Sequence, residues 1–280
     1  MTGTDILMIT FERPEYVRLS LPRLLETCGD GDRVWLWHNG GHAETLAVAR
    51  EYADHPKVAK FHHSPENVGL RTPTNWLWAE SDGSYMSKVD DDCLVTPGWI
   101  ETLRAAHEAV PEFGVIGSWR FLDEDYRPEL ASRKTAEYPG GHKLLRNHWV
   151  QGSGYLAKRA VLEGIGPLTE QHSFTTWCLE AAQAGWVNGW YFPFIPEDHM
   201  DDPRSPNTVY HTDEDLLARL PLSAKTTGVR TIADWTAQMR RSAEVAQTAS
   251  LDLREYFGWR KTKRSVIRRI RRTLTGKAPW

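Results

Sequence analysis

The feature that most restricts the fold is an alternation of short apolar runs with helical patterns through the first 110 residues. Residues 5–10 (DILMIT) read as a buried strand. Pro14 then suits the first turn of a helix whose apolar stripe runs through Tyr16, Leu19, Leu21, Leu24 and Leu25. Residues 33–38 (RVWLWH) predict a second strand, closed by the turn His38-Asn-Gly-Gly41, with a helix over 43–52. A third strand is expected at 58–62, a third helix at 74–80, a fourth strand at 85–89 and a fourth helix at 97–108. Repetition in this order implies βαβ units on a parallel sheet. Right-handed crossovers put every strand's C-terminal end on one edge, where ligands of open α/β sheets bind. Function is therefore expected at 10–13, 38–41, 64–71 and 90–92.

The second half is less regular. Residues 150–157 (VQGSGYLA) predict a strand, 158–165 a short helix, 175–184 another helix and 190–194 a further strand, before a polar, Pro-rich loop at 196–206. Beyond His211 the pattern is helical. Composition excludes a fibrous or wholly disordered chain: of 280 residues, 40% are hydrophobic and 25% charged. No apolar run approaches the ~18 residues a membrane span needs. The opening MTGTDILMITFERPEY lacks the basic start, long apolar core and cleavage site of a signal peptide. Cys28, Cys93 and Cys178 are far apart and form no metal-type pair, which fits a reducing cytoplasm. Charge is uneven. Residues 258–280 hold nine Lys or Arg and no acid, leaving 25 basic against 37 acidic residues in the rest, a net of −12. An acidic body argues against a nucleic-acid surface.

Asp90-Asp91-Asp92 is the sharpest motif. Three adjacent carboxylates repel unless a cation or solvent intervenes. Asp90 and Asp92, two apart, point the same way from an extended backbone, which suits a divalent ion whose other positions go to water and phosphate. His199, in PFIPEDHMDD, offers an imidazole to complete such a site, favouring Mn²⁺ or Mg²⁺ with a diphosphate. Asp198, Asp201 and Asp202 compete with it for that role.

Several segments, in order, resemble glycosyltransferase family 2 enzymes of the GT-A fold: DILMITFERPEYVRLSLPRLLE, HNGG, ENVGLRTPTNWLWAESDGSY, KVDDDCLVTPGWIETL, VQGSGYLAKRAVLEGIGPL and AGWVNGWYFPFIPEDH. The resemblance spans roughly residues 4–200. It implies an open, mostly parallel, Rossmann-like α/β sheet flanked by helices. The expected organisation is a GT-A domain over 1–210, with a nucleotide-sugar half at 1–110 and an acceptor half at 111–210. A helical extension follows at 211–257 and a basic amphipathic tail at 258–280. The implied activity is metal-dependent sugar transfer from a nucleotide-diphosphate sugar, a UDP-sugar foremost. The acceptor is a glycan, a lipid-linked compound or a small molecule.

Carried over by position, the resemblance assigns Thr10, Glu12 and Arg13 to the nucleotide side. Asn39 stands where the family usually has an acidic residue contacting the base. Asn67 and Gly69 match an N-x-G element, with Arg71 and Asn75 behind it. Asp90 and Asp91 fall to the nucleotide-sugar; Asp90, Asp92 and His199 fall to the metal. Gly152 and Ser153 belong to the acceptor-side segment, and Trp149 sits beside it as a sugar-stacking candidate. The family's Glu-Asp pair is missing: Ser173-Phe174 stand there. Glu170, which keeps the carboxylate chemistry, is the first replacement candidate for a catalytic base, His172 the second, and Asp198 lies nearby. That gap leaves open a non-catalytic nucleotide-sugar or glycan-binding protein, or a hydrolase using the acidic cluster. In the tail, Val266, Ile267, Ile270 and Leu274 alternate with arginines, a basic amphipathic pattern that suits anionic lipid at the inner membrane face; a helix docked on the acidic body by charge, or a disordered tail, is the alternative.

Overall fold

The computed structural model describes residues 3–258; the expected basic tail lies, from residue 259 on, outside the described residues. The chain divides into two compact units, one of Met1–Arg120 with Thr135–His199, the other of Phe121–Lys134 with Met200–Trp280. In the first unit the elements run β1 (Thr4–Thr10), α1 (Pro14–Thr27), β2 (Arg33–Asn39), α2 (Ala43–Glu51), β3 (Val58–Ser64), α3 (Arg71–Glu80), β4 (Tyr85–Asp90), β5 (Cys93–Val95), α4 (Trp99–Ala109) and β6 (Phe113–Gly117). The second unit contributes α5 (Pro128–Ala131). The first unit resumes with β7 (Thr135–Glu137), β8 (Lys143–Asn147), β9 (Tyr155–Lys158), α6 (Arg159–Ile165), α7 (Phe174–Gln183), β10 (Val187–Phe192) and β11 (Glu197–His199).

Nine strands form one sheet in the order β3-β2-β1-β4-β9-β6-β10-β8-β7, and β11 pairs with β5 separately. The first four strands are parallel, as the alternation requires. β9 enters antiparallel to both β4 and β6, and β10 runs parallel to β6. β1 is buried along its whole length because helices cover both faces of a central parallel strand. Its one charge, Asp5, is held by Arg33 Nε and Nη2 at 2.8 Å, by Trp35 Nε1 at 2.8 Å and by the Gly83 N–H at 2.7 Å. That carboxylate fastens β1 to β2 and to the turn before β4. Ile6, Met8, Leu21, Leu24, Leu36, Ile100 and Phe113 fill the core. Leu19, counted into the α1 stripe, is instead exposed.

The strand expected over 150–157 begins only at Tyr155. Gly154 sits at φ +60, which breaks the extended backbone, while its N–H still reaches the Lys88 carbonyl at 2.9 Å. Residues 150–154 are thereby a loop at the end of β4 rather than part of a strand.

In the second unit α8 (Asp213–Ala218), α9 (Leu222–Thr227) and α10 (Ile232–Thr248) gather Tyr210, Leu216, Val229, Trp235 and Met239. Thr212 with Asp215, and Thr231 with Asp234, close capping boxes at α8 and α10. Asp202 and Asp125 both bind the Arg204 guanidinium, and Asp201 accepts from the Tyr210 hydroxyl at 2.8 Å. These bonds satisfy Asp201 and Asp202 within their own unit. No helix among the described residues is long and apolar enough to cross a membrane.

His107 on α4 gives the fold a pH dependence. It is almost wholly buried and donates Nε2–H to the Leu156 carbonyl at 2.9 Å, while Nδ1 has no partner. Burial pushes its pKa down to about 3. An unfolded imidazole titrates near 6.5, so between these values the unfolded chain binds one more proton, and stability falls on acidification by up to about 1.4 kcal/mol per pH unit. His107→Gln, which keeps a donor for Leu156, is expected to flatten the decline of melting temperature between pH 6.5 and 4.5. Parallel thermal melts of both proteins check this.

Candidate active site

Strand registers bring the carboxyl ends of β1, β2 and β4 together: Thr10 pairs with His38 and Ile9 with Asp90. Thr10 Oγ1 meets His38 Nδ1 at 3.0 Å, and both residues are fully buried. Burial pushes the His38 pKa down to about 4, so its ring is neutral, and its Nε2 has no partner. Glu12, exposed in the β1–α1 loop, has φ 54. Left-handed backbone in a non-glycine is strained and concentrates at functional loops.

The three aspartates separate. β4 ends at Asp90, and residues 91–92 form a turn, so the side chains do not follow strand alternation. Asp91 turns inward. Its carboxylate accepts the Phe11 N–H at 2.8 Å and lies 3.4 Å from Arg13, while Ser20 Oγ donates to its carbonyl at 2.8 Å. Burial pushes the Asp91 carboxyl up, against the pull of the Arg13 guanidinium. Asp90 turns to the Lys88 ammonium. Asp92 meets Arg13 at 3.0 Å and His199 Nε2 at 3.9 Å.

The small β5–β11 ladder explains how a late histidine arrives there, since it pairs His199 with Cys93, next to Asp92. Among the described residues, Asp92, Cys93 and His199 place ligand atoms within 4.8 Å of one another. A carboxylate oxygen and an imidazole at this spacing suit one divalent ion. Cys93 is a poorer third ligand. Burial and the surrounding carboxylates push its thiol well up, and it bonds to Asp92 at 3.4 Å. Asp90, expected beside Asp92 on the metal, is not in this group.

Several residues expected at the nucleotide hold loops. Asn39 is buried and spends its amide on residues 67–69: Nδ2 donates to Asn67 Oδ1 at 2.9 Å and to the Gly69 carbonyl at 3.2 Å, and Oδ1 accepts the Val68 N–H at 2.9 Å. Gly69 needs its φ of +72 to close that turn. Arg71 donates to the Glu170 carbonyl at 3.0 Å, and Asn75 exchanges two hydrogen bonds with the Leu168 backbone at 2.8 and 3.0 Å. These two side chains strap the loop before α7 to α3.

Residues 5–160 match the model of Glycosyl transferase family 2. The chain belongs to glycosyl transferase family 2. Solved structures share its GT-A fold. The mannosyltransferase PcManGT of Pyrobaculum calidifontis, solved with GDP-Man and Mn²⁺, superposes with a TM-score of 0.59 at 15% identity, covering 98% of this chain and 87% of that one. S. aureus TarS 1–349 gives 0.51 at 13% identity over 94% and 92%. No curated protein sequence matches this one.

Of the residues expected at the acceptor of this family 2 transferase, Ser153 is buried and Gly152 faces both Phe174 and Lys88: a Cβ added there would lie 3.9 Å from the Phe174 ring and 4.0 Å from Lys88 Nζ. Trp149 is half-buried and meets Trp190 edge-on at 5.4 Å. Of the candidate bases, Glu170 is exposed, and His172 Nε2 sits 2.9 Å from Glu180. Asp198 alternates with its buried neighbours Glu197 and His199 on β11 and is half-buried.

Sequence reasoning missed Lys88 and Glu197. A lysine inside the apolar run YMSKVD was the available signal, because a nearly buried ammonium needs a counter-ion. Nothing in the sequence around Glu197 distinguishes it from its acidic neighbours. Asn39→Ala is expected to speed amide hydrogen exchange at Val68 and Gly69 by an order of magnitude or more while sparing β1 and β4, as hydrogen-exchange mass spectrometry would show.

Proposed function

We propose that this glycosyltransferase takes its sugar from a nucleoside-diphosphate donor lying across the ends of β1, β2 and β4. The observation that carries the reading is the meeting of Asp92 with His199 at 3.9 Å, imposed by the β5–β11 ladder. Asp92 and His199 would hold Mn²⁺ or Mg²⁺. Such an ion supplies Lewis-acid stabilisation for the charge that develops on the leaving diphosphate. The nucleoside lies along Glu12 and the loop that Asn39 holds, over the buried Thr10–His38 pair; Asp90, oriented by Lys88, faces the ribose side. UDP is our reading of the carrier, and the GDP-Man of the Pyrobaculum neighbour makes GDP the natural comparison. In an acidic body, Arg13 and Lys88 supply local positive charge for an anionic donor.

For the acceptor hydroxyl the reading turns to His172, whose ring Glu180 holds in place, over Glu170 and Asp198. Acceptors dock against Trp149 and Gly152; Ser153, expected with them, is wholly buried and holds the Asp90 backbone instead.

Asp92→Ala is expected to abolish transfer and the Mn²⁺-dependent part of nucleotide binding; full activity in that variant would contradict the assignment. A thermal-shift panel of UDP and GDP, with and without Mn²⁺, checks the donor class, because a ligand that binds only the folded state raises its melting temperature. His172→Ala is expected to lower kcat by about 10²–10⁴, the usual contribution of a general base, with a smaller effect on donor KM.

A further inference from the structure

Behind the Asp90–Asp92 turn lies a buried chain of hydrogen bonds. The Asp90 N–H donates to Ser153 Oγ at 3.0 Å, and the single Ser153 hydroxyl proton goes to the Glu197 carboxyl. The other Glu197 oxygen lies 2.7 Å from Ser118 Oγ, which is also 2.9 Å from the Gly154 carbonyl. Ser118, Ser153 and Glu197 are 1%, 0% and 3% exposed. The space is equally tight. A Cβ on Gly154 would stand 2.2 Å from a Glu197 carboxyl oxygen and 2.1 Å from Ser118 Oγ.

Glu197 and His199 are two apart on β11 and both buried, so they share a face of that strand. One carboxyl therefore bears, through a single hydroxyl, on the backbone of Asp90, and along its own strand on His199. An apolar side chain of similar volume would take from Ser153 its carboxylate acceptor and loosen its hold on the Asp90 N–H.

The geometry points to Glu197 as a positioning residue that sets the gap between the Asp90–Asp92 turn and His199. It acts through those residues and touches neither donor nor acceptor. The inference rests on the metal reading above. An amide can replace the carboxyl here. In Glu197→Gln, Oε1 accepts from Ser153 and Nε2 donates to Ser118 Oγ, whose own proton then goes to the Gly154 carbonyl.

The test compares the full chain with its Glu197→Ala, Glu197→Gln and Ser153→Ala variants. Each is titrated with Mn²⁺ in the presence of UDP or GDP, free Mn²⁺ being read by electron paramagnetic resonance, and each is melted without ligand. Glu197→Ala and Ser153→Ala are expected to weaken Mn²⁺ binding about tenfold or more, the usual effect of losing an outer partner of metal ligands. Glu197→Gln is expected to restore binding to near the wild-type value. A role in stability alone would lower melting temperatures and leave binding by the folded protein unchanged, which overturns the proposal. An equal loss in the Gln variant overturns it too, because charge rather than placement would then matter. Wild-type protein that takes up no Mn²⁺ with either nucleotide overturns the metal reading and this inference with it. Should Glu197→Ala not fold, Ser153→Ala, which removes one hydroxyl, carries the comparison.

Discussion

Three carboxylates in a row at a strand exit must be separated, and the site depends on how that is done. Asp91 is taken inward by the Phe11 N–H and the Arg13 guanidinium, and its carbonyl is held by Ser20. The middle aspartate is thus the pin that joins the β1–α1 loop to the end of β4. Because it is pinned, the chain turns at 91–92, and its two neighbours receive different partners: Lys88 for Asp90, Arg13 and His199 for Asp92. A strand continuing past Asp90 would have pointed Asp90 and Asp92 the same way and left Asp91 against the other face of the sheet.

The same turn starts β5, which pairs with β11. That short ladder delivers both His199 and Glu197 to the rear of the aspartate turn, from a part of the chain far away in sequence. The loop before β9 is tied in by comparable means. Ser153 bridges Asp90 to Glu197, and Arg71 and Asn75 strap the segment before α7 to α3. The loops at this edge of the sheet are therefore held by polar groups whose partners lie outside their own element. Such bonds fix relative position, whereas apolar packing around them mainly supplies stability.

The first half was legible because each parallel strand is buried on both faces and so writes a continuous apolar run, while each crossover helix writes a stripe. Glycine and proline mark the joints, and the four strand ends fell where the alternation put them. The second half reads poorly for physical reasons. β7 and β11 are only three residues long, β6 and β10 carry glycines, and β9 follows a glycine loop that resembles a strand in composition. Asn39, Arg71 and Asn75 illustrate a second limit. Polar side chains at this edge were assigned by position to a nucleotide, yet each makes intramolecular hydrogen bonds that a linear pattern cannot reveal, because the partners lie in other segments.

By itself the sequence determined the α/β class, the edge of the sheet at which the parallel strands' carboxyl ends gather and the aspartate run that lies on it. Those follow from periodicity and from the chirality of βαβ crossovers, which are local properties. Only the tertiary structure decided that Asp91 is a structural pin, that Asp92 rather than Asp90 meets His199, and that a buried glutamate stands behind them. Which of three neighbouring carboxylates faces a ligand is set by partners brought from β1, β11 and the loop before β9. No pattern along the chain encodes those partners, because their contacts exist only once the sheet has closed around them.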